Sequence, residues 1–167
     1  TVLSFGGGQD STALWELYKN DTLFRRRYVQ GDFLVVFSDT GNEHPHTYLH
    51  CEKIQKEAAE LGVDFVWIKP SMGFHSDSWQ SLPKFFEEKS AIMSVAFPKS
   101  CTDQLKLRPI YRFLGSYIAE KYLGGIAPGR KEEFKLFAQM FGKIKMMIGI
   151  AAGEESRVAP KLDKKGK

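Results

Sequence analysis

Apolar residues along the chain follow two alternating patterns: short continuous runs, and longer stretches in which they recur every three or four positions. The short runs predict β-strands at residues 2–5, 33–38, 64–69 and 146–150. The longer stretches predict helices at residues 11–19, 45–61 and 102–123. Strands that alternate with helices are typical of parallel sheets joined by crossover helices, so the pattern predicts a three-layer α/β sandwich with a mostly parallel central sheet.

The stretch at residues 70–99 departs from this alternation, because aromatic side chains mix there with Pro, Ser and Gly without a clean period. We expect an irregular excursion that carries one short helix. With 167 residues, the chain fits one domain of ordinary size. We expect this domain to span residues 1–158 and the basic run at 159–167 to be a mobile tail, in a protein that continues beyond both ends of the chain.

Composition and charge narrow the class of protein. The chain is 43% hydrophobic and 26% charged, and its apolar runs fall far short of the roughly 20 residues that a membrane span needs. Two cysteines, Cys51 and Cys101, cannot form a disulfide framework, which favours a reducing cytoplasm. The net charge of +4 favours anionic partners, although it does not separate nucleotides from nucleic acids.

The strongest candidate for chemistry lies where the first predicted strand runs into the first predicted helix. The segment reads Ser4, Phe5, Gly6, Gly7, Gly8, Gln9, Asp10, Ser11 and Thr12. Glycines allow several backbone N–H groups to converge on phosphate oxygens, and the start of a helix adds the positive end of its dipole. Ser11 and Thr12 can add hydroxyl donors, and Asp10 can hold Mg²⁺ against the phosphates. The segment therefore predicts a phosphate site, with a plain glycine turn as the alternative.

Two common nucleotide loops do not fit this segment, because no lysine follows the last glycine and Ser11 replaces the third glycine of the dinucleotide fingerprint. The segment instead resembles the Ser-Gly-Gly-x-Asp-Ser loop of the PP-loop ATP pyrophosphatase superfamily, matched at Gly7, Gly8, Asp10 and Ser11. Gly6 stands in place of the leading serine of that loop. The resemblance implies a Rossmann-like fold that binds an adenine nucleotide through residues 4 and 6–12.

A second stretch, residues 38–48, narrows the resemblance to one branch. It is similar to the Asp-Thr-Gly-x-x-x-Pro-x-Thr-Tyr stretch of the phosphoadenosine phosphosulfate (PAPS) reductase family. By that resemblance, Asp39, Thr40 and Gly41 border the adenosine. The alternative is that Asn42 or Glu43 caps the next helix and that Gly41 turns the chain, and both interpretations can hold together.

Residues 101–109 resemble the Cys-x-x-x-x-Lys-x-x-Pro segment of the same family, which makes Cys101, Lys106 and Arg108 candidate substrate contacts. Lysine and arginine are suitable partners for phosphate or sulfate oxygens, although the start of an ordinary solvated helix is the alternative. Iron–sulfur members of the family carry a cysteine pair where this chain has Ser100 and Cys101. We therefore expect no iron–sulfur cluster.

Residues 149–157 resemble the Gly-Ile-Arg-x-x-Glu-Ser-x-Arg element of the family. Glu155 and Arg157 are therefore further candidate substrate contacts, with a capped loop as the alternative. The four resemblances together span residues 1–158. The thiol reductases of the family act through a cysteine in a C-terminal Glu-Cys-Gly-x-His motif, which this sequence does not contain.

The resemblance implies an ATP pyrophosphatase that binds ATP with Mg²⁺ and adenylates an acceptor, with Asp10, Ser11 and Lys106 as its catalytic residues. Two alternatives stay open: a sulfonucleotide reductase whose cysteine lies beyond residue 167, and a nucleotide-binding component of a nucleic-acid modification system that installs sulfur or an altered base. The expected partners are an adenine nucleotide and a nucleic-acid or protein acceptor, and a homodimer also stays open.

Two further groups of residues are weaker candidates. His44, His46 and His50 with Cys51 form the one candidate metal cluster, because His46 and His50 lie one helical turn apart. The basic run at residues 25–27 could contact nucleic acid, although short basic runs are usually solvated.

Overall fold

The computed structural model describes residues 1–90, 101–126, 129 and 131–154. Within these residues the strands are β1 (Val2–Ser4), β2 (Leu34–Ser38), β3 (Asp64–Ile68) and β4 (Met146–Ile148). The α-helices are α1 (Gln9–Asn20), α2 (Thr22–Tyr28), α3 (Pro45–Glu60), α4 (Leu82–Lys89), α5 (Arg108–Tyr122) and α6 (Glu132–Phe141). No helix in this part of the chain is long and apolar enough to cross a membrane. The predicted tail at 159–167 lies outside the described residues.

The four strands form one parallel sheet in the order β3-β2-β1-β4. The chain moves outward from β1 through β2 to β3 and then returns to the other side of β1 as β4. Ser4, the last residue of β1, lies between Val36 and Ile148 of the neighbouring strands. The strand order reverses between β1 and β4, and ligands of open α/β sheets bind beyond the carboxyl ends of the strands at such a switch point.

Apolar side chains fill both faces of the sheet, because alternate residues of a strand point to opposite sides. One core cluster includes Leu3, Phe5, Trp15, Val35, Phe37, Cys51, Ile54 and Ala58. The other includes Val2, Leu34, Val36, Ile68, Ile110, Phe113 and Leu114. Helices α1 and α3 therefore cover one face and α5 covers the other, which confirms the predicted parallel α/β sandwich.

Two helices, α2 and α6, were not predicted. The apolar period gives no signal for α2, whereas α6 carries Phe134, Phe137 and Phe141 at helical spacing, a signal that the prediction missed. The short helix α2 begins where the Asp21 side chain accepts hydrogen bonds from the N–H groups of Leu23 (2.8 Å) and Phe24 (3.0 Å). Neither α2 nor α6 contains a fully buried residue. Local capping therefore defines the start of α2, where the apolar period gives no signal.

The helix predicted at residues 102–123 is in fact two segments, a π-helix at Thr102–Leu107 followed by α5. In a continuous α-helix the carbonyl of Leu105 would accept from the N–H of residue 109, but Pro109 has none. The N–H of Arg108 instead bonds the carbonyl of Asp103, five residues back, which is the π pattern. The Leu105 carbonyl accepts from Ser38 Oγ at 2.6 Å and so ties this segment to the end of β2.

The stretch predicted to be irregular matches its expectation where the structure describes it. Two single-turn 3₁₀ segments, Pro70–Met72 and Asp77–Trp79, precede the short helix α4. The rest of the stretch, residues 91–99, lies outside the described residues. The short helix is capped by Ser81, whose Oγ accepts from the N–H of Lys84 at 3.2 Å.

Candidate functional site

The three glycines between β1 and α1 have different structural roles. Gly7 has a φ of +70°, and a Cβ atom there would lie 2.5 Å from Cγ2 of Thr47. At Gly6 and Gly8 the backbone φ is negative, and a Cβ atom would meet no described atom within 4 Å. The fold therefore requires glycine at position 7, while the open space at 6 and 8 leaves room for a ligand to approach the backbone.

Two hydroxyl groups predicted to bind phosphate hold the loop together in the free protein. Oγ of Ser11 accepts from the Gly6 N–H at 3.2 Å and donates to the Gly8 carbonyl at 3.0 Å. Oγ1 of Thr12 lies 2.9 Å from the same carbonyl. Ser11 is buried. The geometry therefore assigns these hydroxyls first to the shape of the loop, and a direct contact with phosphate stays a prediction.

Backbone amides are the groups of this loop that remain available to an anion. Helix α1 starts at Gln9 with Gly8 as its N-cap, and the first hydrogen bond to the cap carbonyl comes from Thr12 N at 3.1 Å. The N–H groups of Gln9, Asp10 and Ser11 therefore have no acceptor within the helix. Amides at a helix start bind phosphate readily, because the helix dipole adds to their own positive charge.

The loop after β4 closes over the first turn of α1. A Cβ atom at Gly149 would lie 2.6 Å from Cβ of Asp10 and 2.8 Å from the backbone nitrogen of Ser11. No side chain fits between these two segments, so glycine at 149 lets both loops of the switch point meet. The neighbouring candidates Glu155 and Arg157 lie outside the described residues.

Asp10 is the predicted metal ligand, and its side chain is half-buried at this switch point. No group of three or more His, Cys, Asp or Glu residues is placed to hold a metal ion in the described part of the chain. Mg²⁺ is commonly held by one or two carboxylates together with substrate phosphates and water. A single carboxylate therefore fits a metal ion that arrives with the nucleotide better than a resident one.

The histidines near the start of α3 do not converge on a metal site. The ring of His44 caps α3 by accepting from the His46 N–H at 3.3 Å, and the two rings stack with centroids 5.1 Å apart. Nε2 of His50 instead lies 2.8 Å from Oγ1 of Thr12. Cys51 is fully buried. The weak candidate His–Cys cluster is therefore not formed among the described residues, and His50 instead contacts Thr12 beside the glycine loop.

Asp39 organises the loop after β2. Its Oδ1 accepts from the N–H of Gly41 at 2.8 Å and from the hydroxyl of Tyr48 at 2.9 Å, and its Oδ2 accepts from Nε1 of Trp67 at 3.1 Å. Burial raises the pKa of Tyr48, which keeps this hydroxyl a donor. Gly41 has a φ of +74°, and a Cβ atom there would lie 2.6 Å from Cβ of Ser81. The carboxylate therefore shapes the loop, and its contact with adenosine stays a prediction.

One carboxylate that was not predicted joins two of the candidate stretches. Oε1 of Glu43 accepts from the hydroxyl of Thr40 at 3.0 Å and lies 3.1 Å from Nζ of Lys106. The alternative that Asn42 or Glu43 caps α3 is wrong, because His44 occupies that position. Glu43 stands at a variable position of the family pattern, so only the fold reveals that it faces Lys106.

The other two candidates of residues 101–109, Cys101 and Arg108, make no described contact with Lys106. Nε of Arg108 lies 2.7 Å from Oδ2 of Asp103 on its own helical turn, and its side chain is exposed. Cys101 is a free, partly exposed cysteine at the start of the π-helical segment. Of these three predicted substrate contacts, the structure therefore brings only Lys106 to the loop after β2.

His75 lies buried behind the same loop. Neither ring nitrogen has a hydrogen-bond partner among the described residues, and the backbone of Asp39 and Leu105 lies nearby. Burial lowers the pKa of His75, since the charged ring would lose its hydration. The imidazole is therefore neutral under the end of β2.

A parallel sheet with a glycine loop and a helix start at its switch point defines a Rossmann-like protein with a candidate anion site at that loop. The model of the phosphoadenosine phosphosulfate reductase domain matches the chain over residues 1–139. The chain therefore belongs to this family, which is part of the PP-loop adenine nucleotide alpha hydrolase-like superfamily. No curated protein and no solved structure matches the chain.

Proposed function

We propose that the protein binds ATP at the carboxyl end of the sheet and cleaves it between the α- and β-phosphates, so that AMP passes to an acceptor. The observation that carries this proposal is the open row of amides at the start of α1. The only thiol beside that loop, among the described residues, is Cys51, whose Sγ lies 3.6 Å from the Cβ position of Gly7. Burial raises the pKa of Cys51 to about 12, so it is not available as a nucleophile.

The proposed reaction requires positioned charges rather than a protein nucleophile. A nucleophilic group of the acceptor attacks the α-phosphorus, the bond to the bridging oxygen breaks, and its electron pair leaves on pyrophosphate. In this proposal the amides of the glycine loop bind the leaving phosphates, Lys106 neutralises their charge and Ser11 holds the loop. Mg²⁺, held by Asp10 and the phosphates, would supply further charge stabilisation.

The test is release of pyrophosphate from ATP in the presence of Mg²⁺ and a set of acceptors that includes DNA, RNA and small nucleophiles. We expect Lys106→Met to lower kcat/KM by about 100-fold, the size seen when one charge-stabilising group is removed. Lys56→Met is the matched control, because Lys56 is an exposed lysine of α3. Release of orthophosphate instead of pyrophosphate, or failure to bind ATP, would contradict the proposal.

A second candidate is a sulfonucleotide reductase, which the family match favours. A cysteine thiolate would form a bond with the sulfur of PAPS, the sulfur–oxygen bond would break, and adenosine 3′,5′-bisphosphate would leave. A second thiol would then release sulfite and leave a disulfide. Release of sulfite and adenosine 3′,5′-bisphosphate from PAPS in the presence of a thiol, without release of pyrophosphate from ATP, would favour this candidate over ATP cleavage.

A further inference from the structure

Glu43 is placed to control the positive charge that an anionic ligand meets. A single oxygen, Oε1, contacts both Nζ of Lys106 at 3.1 Å and the hydroxyl of Thr40 at 3.0 Å. The Glu43 side chain is 19% exposed, whereas that of Lys106 is 37% exposed. The ammonium group therefore has an anionic partner within the protein, and any ligand phosphate that reaches it also approaches a carboxylate.

Glu43 is held more firmly than the lysine that it faces. Thr40 is buried and fixes the carboxylate, while the backbone N–H of Glu43 donates to the hydroxyl of Tyr48 at 3.3 Å. Lys106 reaches across on a flexible four-carbon stem. When a ligand binds, the lysine can turn toward it, but the negative charge of Glu43 stays in place.

We propose that Glu43 selects nucleotides by charge and makes the metal complex of ATP the preferred ligand. This inference rests on the proposed function, in which Lys106 meets the phosphates of ATP. Repulsion between Glu43 and a ligand grows with the negative charge of that ligand. A divalent cation neutralises part of the charge on the triphosphate, so Glu43 disfavours metal-free ATP more than it disfavours MgATP.

The test compares the Kd of ATP in excess Mg²⁺ with the Kd in excess EDTA, at equal ionic strength, by calorimetry. Glu43→Gln removes the charge but keeps an oxygen that can accept from Thr40. We expect this variant to narrow the ratio of the two Kd values by about threefold, because the contribution of a partly exposed charge is screened by solvent. Glu60→Gln removes the same charge from the far end of α3 and should leave the ratio unchanged.

The outcomes separate this inference from the proposed function. If the wild-type protein binds ATP but Glu43→Gln leaves the ratio of Kd values unchanged, charge selection by Glu43 is overturned and the proposed function stands. An equal loss of affinity for both forms also overturns it, because Glu43 would then only hold Lys106 in place. If the wild-type protein binds neither form of ATP, the proposed function itself fails.

Discussion

The two ends of the parallel sheet are built from different side chains. The carboxyl end carries the glycine loop, the carboxylates of Asp39 and Glu43, and Lys106. The amino end carries a cavity of about 310 Å³. Its lining includes Leu34, Leu114, Tyr117, Ile118, Tyr122 and Phe137.

Several polar groups at the amino end pair with one another. Nζ of Lys121 lies 3.1 Å from Oδ2 of Asp32 and 3.4 Å from Oδ2 of Asp64, and the hydroxyl of Tyr122 donates to Asp32 at 2.6 Å. Hydrogen bonds from Tyr122 and Lys121 lower the pKa of Asp32. Burial raises the pKa of Tyr122 to about 12. At the carboxyl end, by contrast, the N–H groups of Gln9, Asp10 and Ser11 have no acceptor within their helix, so the two ends differ in whether their polar groups are paired among the described residues.

The largest expected effect is on the glycine that the carboxyl end requires. Gly7→Ala should lower the free energy of unfolding by about 2–4 kcal/mol, because the new Cβ atom is strained at positive φ and collides with Thr47. Gly6→Ala is the matched control and should stay within about 0.5 kcal/mol of the wild-type protein. Urea unfolding measures both. Equal stability of the two variants would contradict the conclusion that the fold requires glycine at position 7 but not at position 6.

A second comparison sets one carboxylate of each end against the other. Asp39→Ala leaves the hydroxyl of Tyr48 and Nε1 of Trp67 without their acceptor, so we expect a loss of about 2 kcal/mol in the free energy of unfolding. Asp32→Ala breaks contacts of a side chain that is 55% exposed and should cost at most about 1 kcal/mol. Urea unfolding measures both losses in the free energy of unfolding. A larger loss for Asp32→Ala than for Asp39→Ala would contradict this prediction.

Ligand binding should distinguish the lysines of the two ends. Lys106→Met should weaken ATP binding by about tenfold, the effect of losing one charged hydrogen bond of 1.5 kcal/mol or so. Lys121→Met removes the same charge at the amino end and should leave the Kd of ATP unchanged. Calorimetric titration of both variants measures the difference. A loss of binding in Lys121→Met would move the anion site to the cavity.

The smallest expected effect concerns the pH dependence of the contact between α1 and α3. Hydrogen bonds from Nε1 of Trp15 (2.9 Å) and Nζ of Lys19 (2.9 Å) lower the pKa of Glu57 below its ordinary value of 4.5. A carboxyl whose pKa is lowered by folding stabilises the protein above 4.5, and this stabilisation disappears as the pH falls through the lowered pKa. The free energy of unfolding of Glu57→Gln should therefore be lower than that of the wild-type protein by up to about 1 kcal/mol at neutral pH. In acid the two free energies should be equal.

Thermal unfolding of both proteins across the acid range measures this difference. The control is Glu60→Gln, which removes an exposed carboxyl of the same helix and should show no change in pH dependence. A stability difference between Glu57→Gln and the wild-type protein that stays constant at every pH would contradict the role of the charge.

Local signals in the sequence were sufficient to predict the positions of the strands and of the glycine loop. Each strand contains a short run of consecutive apolar residues, and β2 was predicted to within one residue at its start. The loop was visible because a run of glycines between a strand and a helix is a feature of neighbouring residues. The order of the strands, however, depends on contacts between distant segments, and only the structure provides it.

Contacts across the fold account for what the sequence did not reveal. Glu43 was not recognised because its ion-pair partner, Lys106, lies 63 positions further along the chain (106 − 43). Gly149 is required by the backbone of Asp10 and Ser11. The break at Pro109 was missed because a proline is also acceptable in the first turn of a helix, where it appears as an ordinary start. Apolar periodicity reports burial and contains no information about these pairings.

The π-helical segment at Thr102–Leu107 determines the direction in which Lys106 points. A π turn holds one residue more than the α-helix around it, and one residue corresponds to about 100° of rotation about the helix axis. Because Pro109 has no N–H to complete the α-helical pattern, replacing it is the change that would allow a regular α-helix here, and the altered register would turn Lys106 away from Glu43. In protein engineering, a substitution that regularises this helix would therefore improve local geometry and turn Lys106 away from the loop after β2.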